Sequence, residues 1–254
     1  MKALVLCAGL GTRLGALTAE TPKAMLPVGG EPLLAHTLRH LARQGMHDVT
    51  VNLHFRAESI RAFFGSGAAF GVRLRYLDEP SLLGTAGTVR SLAPHLDPKD
   101  DLLVLYGDLL LDQDFGEMAS VHRDRAADAT LLLHQRLGSN SLVRMDVDGR
   151  ITAFLERPTE EQRRASPHPW VNSGAAILGH RAREAIPPHA PVDLPRDVWQ
   201  PSVDRLRLFG VPLSGYRCAV DSPQRLAEAD AAFREGRYGL RKRLSDGSGP
   251  PAES

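Results

Sequence analysis

One short segment near the start of the chain constrains its fold and function most strongly. Residues 3–8 read ALVLCA and are apolar, and the glycine-rich turn that follows, residues 9–13, reads GLGTR. A lone Lys23 follows between a proline and an alanine. Glycines let backbone N–H groups approach phosphate oxygens closely, and Arg13 and Lys23 supply positive charge. An apolar strand, a glycine loop and two cations together predict a polyphosphate-binding site.

The composition is that of an ordinary globular enzyme. The 254 residues suffice for one α/β domain or two small ones, and the formal net charge is +1. Because the sequence has no basic stripe with interleaved aromatic residues, we expect no nucleic-acid partner and no attraction to an anionic membrane. The two cysteines, Cys7 and Cys218, lack CxxC spacing, so neither a disulfide framework nor structural zinc is expected.

The first apolar run resembles a signal peptide only superficially. It is too short and breaks at Gly9 and Gly11, so we interpret it as a buried first strand. No apolar stretch approaches the roughly 20 residues that a membrane span needs. We therefore expect a cytoplasmic protein without a membrane partner.

Apolar strand patterns alternate with amphipathic helix patterns through the first half of the chain. Strands are predicted at residues 4–7, 49–53, 72–77, 102–106 and 129–134, and helices at residues 31–44, 57–64, 88–93 and 114–125. This alternation predicts an α/β fold with an open, mostly parallel sheet and helices on both faces. Ligands bind at the carboxyl ends of the strands in such sheets, where the 9–13 loop and Asp108 both fall.

The second half of the chain is less regular. Strands are predicted at residues 142–147, 151–155, 171–178, 207–213 and 216–220, and helices at residues 195–204 and 223–235. Beyond residue 236 the sequence is basic and then rich in glycine, proline and serine, so we predict one domain over residues 1–236 and a disordered tail over residues 237–254. Since no six-residue β-helix repeat follows the α/β region, no C-terminal β-helix is expected.

Two common phosphate-binding patterns do not fit the glycine loop. Gly9, Gly11 and Gly15 give GxGxxxG instead of the dinucleotide fingerprint GxGxxG, and the second strand ends in His54 and not in an acidic residue. The P-loop patterns GxxxxGKS and GxxxxGKT do not occur in the sequence. A plain turn between a strand and a helix would explain the glycines if they stood alone.

A longer pattern carries more information. Residues 6–13 (LCAGLGTR) and 21–28 (TPKAMLPV) together resemble the signature of the sugar-phosphate nucleotidyltransferases. The resemblance implies a single Rossmann-like (GT-A-like) three-layer domain with a mixed, mostly parallel central sheet. It also implies that the loop holds the phosphates of a nucleoside triphosphate (NTP), with Arg13 and Lys23 as catalytic residues. The residues carried over for nucleotide binding are Leu6, Ala8, Gly9, Gly11, Thr12, Arg13 and Lys23.

The resemblance extends to two more segments of the first half. Residues 83–88 (LGTAGT) resemble the base-contacting segment of the family, although alone they would indicate a helix N-terminus with a glycine turn. Tyr106-Gly107-Asp108 resembles the family's strand-end Gly-Asp, in which the catalytic Asp binds Mg²⁺ beside the sugar phosphate, although Gly-Asp is also a common turn. The implied site residues are Gly84, Thr85, Ala86 and Gly87 for the nucleotide, Gly107 for the sugar phosphate and Asp108 for the metal.

Three further matches lie in the second half. Residues 154–158 (FLERP) are similar to the family's Glu-Lys-Pro, in which Glu binds sugar hydroxyls and Lys approaches the sugar phosphate. Glu156 and Arg157 take these places, and Arg157 brings a planar fork in place of a point donor. Asn172 stands where the family's Asn-x-Gly contacts the sugar. Asp221 stands where the second metal-binding Asp belongs, with capping of the next helix as its alternative role.

These matches imply an Mg²⁺-dependent nucleotidyltransferase that condenses an NTP with a sugar 1-phosphate, giving an NDP-sugar and pyrophosphate without a covalent intermediate. GTP with a mannose- or heptose-type 1-phosphate is the preferred pair, because the short form resembles mannose- and heptose-1-phosphate guanylyltransferases. Uridylyl-, thymidylyl- and cytidylyltransferases stay open, as do a non-catalytic nucleotide-sugar sensor and a homodimer. A dinucleotide-dependent oxidoreductase is disfavoured by the missing fingerprint.

Overall fold

A sheet of nine strands forms the centre of the molecule. The computed structural model of the chain describes residues 1–9, 11–166 and 169–239. In chain order its strands are β1 (Lys2–Leu6), β2 (Pro27–Val28), β3 (Glu31–Pro32), β4 (Asp48–Leu53), β5 (Arg73–Asp78), β6 (Leu102–Tyr106), β7 (Leu109–Leu111), β8 (Ala129–Gln135), β9 (Ser141–Met145), β10 (Ile151–Glu156), β11 (Trp170–Leu178), β12 (Leu208–Pro212) and β13 (Arg217–Ala219).

Helices lie between most of these strands. The α-helices in the described ranges are α1 (Leu33–Arg43), α2 (Ala57–Phe64), α3 (Gly84–Leu92), α4 (Phe115–Asp124), α5 (Glu160–Arg164), α6 (His180–Glu184), α7 (Gln200–Ser202) and α8 (Pro223–Arg234). The helix predicted from residue 88 begins at Gly84, and the helix predicted at residues 195–204 is a π-helical turn, Leu194–Trp199, that runs into α7. The other predicted elements differ from the observed ones mainly at their ends.

The sheet is mixed, and most of its strands point the same way. The strand order is β10-β9-β11-β6-β1-β4-β5, with β8 paired to β11 and to β12 beside this path. Strands β1, β4, β5 and β6 are parallel, and β12 is parallel to β8. Strand β11 is antiparallel to β6, β8 and β9, and β10 is antiparallel to β9. Of the nine described strands, β10 and β11 are therefore reversed and the other seven agree, which confirms the predicted mixed, mostly parallel sheet.

Both faces of the sheet are covered by helices, because strand β1 is apolar on both of its sides. Ala3 and Val5 pack on one face against the apolar side of α1. Leu4 packs on the other face with Val89 of α3 and with Trp199. Each of these five side chains is at most 1% exposed. The result is a single α/β domain of three layers, helix on sheet on helix.

The parallel strands bring their carboxyl ends to one edge of the sheet. Leu6 at the end of β1 lies opposite Asn52 of β4 and Tyr106 of β6. A short antiparallel ribbon of β7 and β13 stands beside this edge. Just past the ribbon's end, the Val220 N–H donates a hydrogen bond of 2.8 Å to the Asp108 carbonyl. The ribbon therefore carries the residues that follow β13 to the end of β6.

The last described residues pack against the body of the domain. The Tyr238 ring lies 5.9 Å from the His36 ring and 6.2 Å from the Phe233 ring, measured between centroids, and the Gly239 N–H donates to Asp112 Oδ2 at 3.0 Å. Residues 240–254, where most of the tail is predicted, lie outside the described residues, so the domain boundary stays a prediction. In the described ranges there is no C-terminal β-helix. Within them, no helix combines the length and apolar character needed to cross a membrane.

Candidate active site

A cavity of about 340 Å³ opens at the sheet edge where β1 and β6 end. Its volume lies in the range of small-ligand sites, roughly 300–1,000 Å³. Predicted site residues from distant parts of the chain line it: Leu6, Ala8, Gly9, Gly11, Thr12, Arg13, Lys23, Gly84, Thr85, Gly107, Asp108 and Asp221. The fold therefore brings together the glycine loop, both predicted cations and both predicted metal ligands.

Other predicted residues stand back from the cavity wall. The residues that do not line it are Ala86, Gly87, Glu156, Arg157 and Asn172. The N–H groups of Ala86 and Gly87 donate to the Val192 carbonyl at 2.8 and 3.1 Å. These two amides are therefore engaged inside the protein, and of the predicted base-contacting residues Gly84 and Thr85, at the start of the segment, line the cavity.

The glycine loop leaves its backbone open to a ligand. Gly11 has φ of +65°, in the left-handed region that favours glycine, and its carbonyl accepts a hydrogen bond of 2.9 Å from Thr18 Oγ1. A Cβ atom added at Gly9 would meet no described atom within 4 Å. The Arg13 side chain beside it is 72% exposed. Open space next to the backbone and an extended cation are what the approach of a phosphate requires.

Each predicted cation lies against a predicted metal-binding carboxylate. Lys23 Nζ is 2.7 Å from Asp108 Oδ2, and both side chains are largely sheltered from solvent. Arg13 Nη1 is 3.4 Å from Asp221 Oδ2 at the surface, where such a pair is worth about 0–1 kcal/mol. The two pairs balance the charges of the carboxylates, and the exposed pair is the easier one to break.

The alternative role of Asp221 as a helix cap is wrong. Helix α8 is capped by Ser222, whose Oγ accepts a hydrogen bond of 3.2 Å from the Arg225 N–H. The Asp221 carboxylate therefore points to the cavity wall and not to the helix.

A segment that sequence analysis did not identify, Val192 and Asp193, packs against the start of α3. The Thr85 N–H and Oγ1 donate to Asp193 Oδ1 at 3.2 and 3.3 Å, and the Val192 N–H donates to the Leu83 carbonyl at 2.9 Å. These contacts satisfy amides that the first turn of a helix leaves unpaired. Asp193 itself lines the cavity. A carboxylate at this position had no local motif to identify it.

A buried polar network behind the cavity was also missed. Asn52 Oδ1 accepts from the Cys7 N–H at 2.7 Å, and Asn52 Nδ2 donates to Glu79 Oε1 at 2.8 Å. Thr88 Oγ1 donates to the same carboxylate at 2.5 Å, and Glu79 Oε2 accepts from the Leu83 N–H at 3.1 Å. The network ties the glycine loop to the start of α3. Its one sequence signal is an asparagine inside the apolar strand β4.

Two acidic groups near the cavity hold their protons more tightly than usual. Burial raises the pKa of Tyr106, whose phenol shares a hydrogen bond with the Thr85 side chain. Burial also raises the pKa of Glu156, with the Arg157 charge opposing and the Asp193 charge adding to the effect. Since Asp193 lines the cavity, Glu156 lies within electrostatic reach of the site although it does not line it.

Cys7 lines the cavity but is not a nucleophile. Burial, together with a smaller effect of the Asp108 charge, raises the pKa of its thiol to about 12. A thiol with such a pKa stays protonated and inert at neutral pH. The cavity wall therefore agrees with the expectation that no cysteine attacks the substrate.

The predicted sugar side of the site lies along the start of β11. Asn172 Oδ1 accepts from the Gly174 N–H at 3.1 Å, and the Asn172 N–H donates to Ser141 Oγ at 2.9 Å. Arg157 is exposed, with φ of +53°, and its N–H donates to the Asn140 carbonyl at 2.6 Å. The structure thus holds the backbone of both predicted residues in place and leaves the Arg157 side chain in solvent.

A histidine and an arginine meet next to this side. His134 Nδ1 is 2.9 Å from Ser173 Oγ, and Arg217 Nε donates to the Ser173 carbonyl at 2.8 Å. Burial, followed by the charges of Arg217, Arg136 and Arg225, lowers the pKa of His134 to about 4. His134 is therefore neutral at physiological pH, and the net charge around it is that of the neighbouring guanidiniums.

Comparison with known proteins identifies relatives of the chain. The model of the nucleotidyl transferase family matches residues 2–179. The mannose-1-phosphate guanylyltransferase of Mycobacterium tuberculosis is 34% identical over 200 residues, which cover 78% of this chain and 54% of that protein. The UTP–glucose-1-phosphate uridylyltransferase of Synechocystis is 31% identical over 220 residues, which cover 80% of this chain and 55% of that protein. The chain thus spans just over half the length of these relatives.

A solved structure shares the fold. The crystal structure of HddC from Yersinia pseudotuberculosis complexed with GMP-PN has a TM-score of 0.75 and 20% sequence identity, and the match covers 91% of this chain and 99% of that one. At this identity the likeness shows the three-layer α/β fold alone.

Because Val192 lies close to Gly84, substitution by alanine should destabilise the protein more at Gly84 than at Gly30. A Cβ at Gly84 would lie 2.5 Å from the Val192 carbonyl oxygen, whereas one at Gly30 would meet no described atom within 4 Å, and both glycines have positive φ. Gly30→Ala should cost about 1–2 kcal/mol from left-handed backbone strain. Gly84→Ala should cost about 1–3 kcal/mol more, because the clash displaces a neighbouring segment. Urea denaturation measures both losses, and equal losses would contradict the packing described.

The lowered pKa of His134 predicts a pH dependence of stability. The ordinary His pKa is about 6.5, and in the folded protein the pKa is about 4. Between these values the unfolded chain binds a proton that the folded chain does not, so the free energy of unfolding falls as the pH is lowered through this window. His134→Asn should therefore lose less thermal stability than the wild type between about pH 7 and about pH 4.5. Circular dichroism melts at both pH values measure the difference, and parallel losses would disprove the assignment.

Proposed function

The chain belongs to the nucleotidyl transferase family, and on that premise we propose that it is a sugar-1-phosphate nucleotidyltransferase. The proposed reaction joins an NTP and a sugar 1-phosphate into an NDP-sugar and pyrophosphate. The observation that carries the proposal is the convergence of the glycine loop, Arg13, Lys23, Asp108 and Asp221 on one cavity. A nucleotide-sugar sensor would not need all four charged side chains in one place.

The proposed chemistry needs no protein nucleophile. An oxygen of the sugar phosphate forms a bond to the α-phosphorus of the NTP, and the bond from that phosphorus to the departing pyrophosphate oxygen breaks. The attacking oxygen is already ionised at neutral pH, so no side chain has to act as a general base. The difficulty is to bring two polyanions together, which makes positioning and charge stabilisation the main sources of catalysis. We assign Lys23 to the α-phosphate and Arg13 to the β- and γ-phosphates.

Mg²⁺ is the proposed cofactor, and Asp108 and Asp221 would hold it. Their oxygen donors fit, because Mg²⁺ is usually bound by one or two carboxylates together with substrate phosphates and water. In the ranges that the structure describes, no group of three or more His, Cys, Asp and Glu side chains forms an all-protein cage. When bound, the ion supplies positive charge to the phosphates. Lys23 and Arg13, ion-paired with these carboxylates in the structure, would then exchange them for phosphate oxygens.

GTP and a mannose-type 1-phosphate are the proposed substrates. The Mycobacterium tuberculosis relative is named a mannose-1-phosphate guanylyltransferase, and the HddC structure is a complex with GMP-PN. UTP is the second candidate, because the Synechocystis relative, named a uridylyltransferase, is nearly as similar. We assign base recognition to residues 8–11 and 83–88. The cytoplasm is the proposed location, where both substrates would be available.

A substrate panel tests the proposed function. Pyrophosphate release is measured with ATP, GTP, CTP, UTP and dTTP, each with mannose 1-phosphate, glucose 1-phosphate and a heptose 1-phosphate. We expect release with at least one pair and the highest kcat/KM with GTP. Release with another base would correct the substrate assignment alone. No release with any pair, together with tight binding of an NDP-sugar, would favour the sensor.

The carboxylate of Asp108 is expected to be indispensable. Asp108→Asn should lower the rate of pyrophosphate release by about 10²–10³-fold or more, because an amide lacks the charge that binds the metal. The control Asp48→Asn removes a carboxylate that pairs with Arg73 at the surface and should leave the rate unchanged. Circular dichroism checks that both variants are folded. Near-normal turnover by a folded Asp108→Asn variant would refute the metal assignment.

A further inference from the structure

Arg217 is a half-buried guanidinium that forms no ion pair with any described residue. Its Nε donates to the Ser173 carbonyl at 2.8 Å, and no other described acceptor binds the group. The two terminal nitrogens have no hydrogen-bond partner among the described residues, and neither is fully buried. Solvent therefore reaches them. Partly buried cations usually have an anionic partner. The two terminal nitrogens of this guanidinium, which its Nε bond holds in place, are therefore available to an anion.

The surroundings of Arg217 are positively charged. Arg136 and Arg225 lie close enough to lower the pKa of Arg217, although burial is the larger cause. Arg225 is neutralised by Glu228 at 2.6 Å, whereas Arg136 forms no hydrogen bond or ion pair with any residue of the described ranges. His134 on the same side is neutral. An anion that entered here would meet an excess of positive charge.

The location of Arg217 connects this charge to the candidate active site. Strand β8 runs in the same direction as β1, so its end, next to His134, lies on the sheet edge where the cavity opens. Ser173, whose carbonyl anchors Arg217, precedes Gly174. A Cβ added at Gly174 would lie 3.2 Å from the ring of Tyr106, which is part of the cavity wall. Among the charges that act on Arg217, that of Asp108 has the largest effect. Arg217 thus lies within electrostatic reach of Asp108, next to the predicted sugar side of the site.

We propose that Arg217 binds the phosphate group of the sugar 1-phosphate. The inference rests on the proposed function, in which this phosphate must come next to Asp108. Arg13 and Lys23 line the cavity, on the proposed NTP side. Arg217 stands behind the cavity wall, bonded to the residue that follows Asn172. Because Nε is already anchored, the terminal nitrogens are preorganised for a bidentate contact with phosphate oxygens. Arg157, exposed on a loop, has no such anchor.

Steady-state kinetics test the proposal with the substrate pair that the panel identifies. Arg217→Gln should raise the KM for the sugar 1-phosphate about tenfold to hundredfold, as expected for the loss of a charged hydrogen bond, and leave the KM for the NTP unchanged. Arg217→Lys keeps the charge without the planar fork, so its KM for the sugar 1-phosphate should lie between those of the wild type and Arg217→Gln. The control Arg144→Gln removes a guanidinium that contacts only Ser166 Oγ among the described residues, at 3.1 and 3.3 Å, and should match the wild type.

Arginine footprinting tests the same contact without turnover. Wild-type protein is treated with phenylglyoxal alone, with mannose 1-phosphate, with inorganic phosphate, with mannose or with GTP, and modification of each arginine is read by peptide mass spectrometry. Mannose 1-phosphate and phosphate should protect Arg217, mannose should not, and Arg144 should be modified equally throughout. Protection of Arg217 by GTP but not by mannose 1-phosphate would assign this arginine to the NTP and overturn the proposal.

The two experiments separate failure of the inference from failure of the proposed function. Pyrophosphate release by the wild type with an unchanged KM for the sugar 1-phosphate in Arg217→Gln would overturn the inference and leave the function standing. No release with any pair, but selective protection of Arg217 by mannose 1-phosphate, would overturn the proposed reaction and support the anion site. If Arg217 is neither protected nor kinetically important, it is a structural residue only.

Discussion

The parallel pairing of β1 with β4 on one side and β6 on the other is the constraint on which the rest of the structure depends. It aligns the ends of three strands at one edge, with Leu6 opposite both Asn52 and Tyr106. Both faces of β1 are buried, so a shift in its register would move apolar side chains out of two cores at once. The position of the glycine loop relative to Asp108 is therefore as well determined as the packing of the hydrophobic core.

Charge balance is the second organising feature of the site. The carboxylates of Asp108 and Asp221 are each compensated by a cation in the cavity wall, Lys23 and Arg13 respectively. A protein that gathered four charges of one sign would be destabilised before its ligands arrived, whereas alternating charges tolerate the ligand-free state. The exception lies on the sugar side, where Arg217 and Arg136 have no carboxylate partner among the described residues.

Sequence reasoning identified residues of the cavity wall where the sequence signal is local. The glycine loop and Asp108 each follow an apolar strand, and strand ends are recognisable from hydrophobic pattern. Lys23 was found from the longer pattern of residues 21–28. Sequence reasoning failed where a residue acquires its place through distant pairing. Asp193 lines the cavity because its segment bonds to the start of α3, and Arg217 comes close to Asp108 because β13 pairs with β7. The start of α3 was placed four residues late for the same reason, since its first amides are satisfied by Val192.

The buried network of Asn52, Glu79 and Thr88 has a mechanical consequence. It joins the Cys7 amide to the Leu83 amide through side chains that are nearly inaccessible to solvent. The cavity wall formed by the glycine loop and the wall formed by the start of α3 are therefore held at a fixed spacing by one buried, hydrogen-bonded unit. β11 and the β7–β13 ribbon contribute no residue to this network, so a change in the width of the cavity would come from their side.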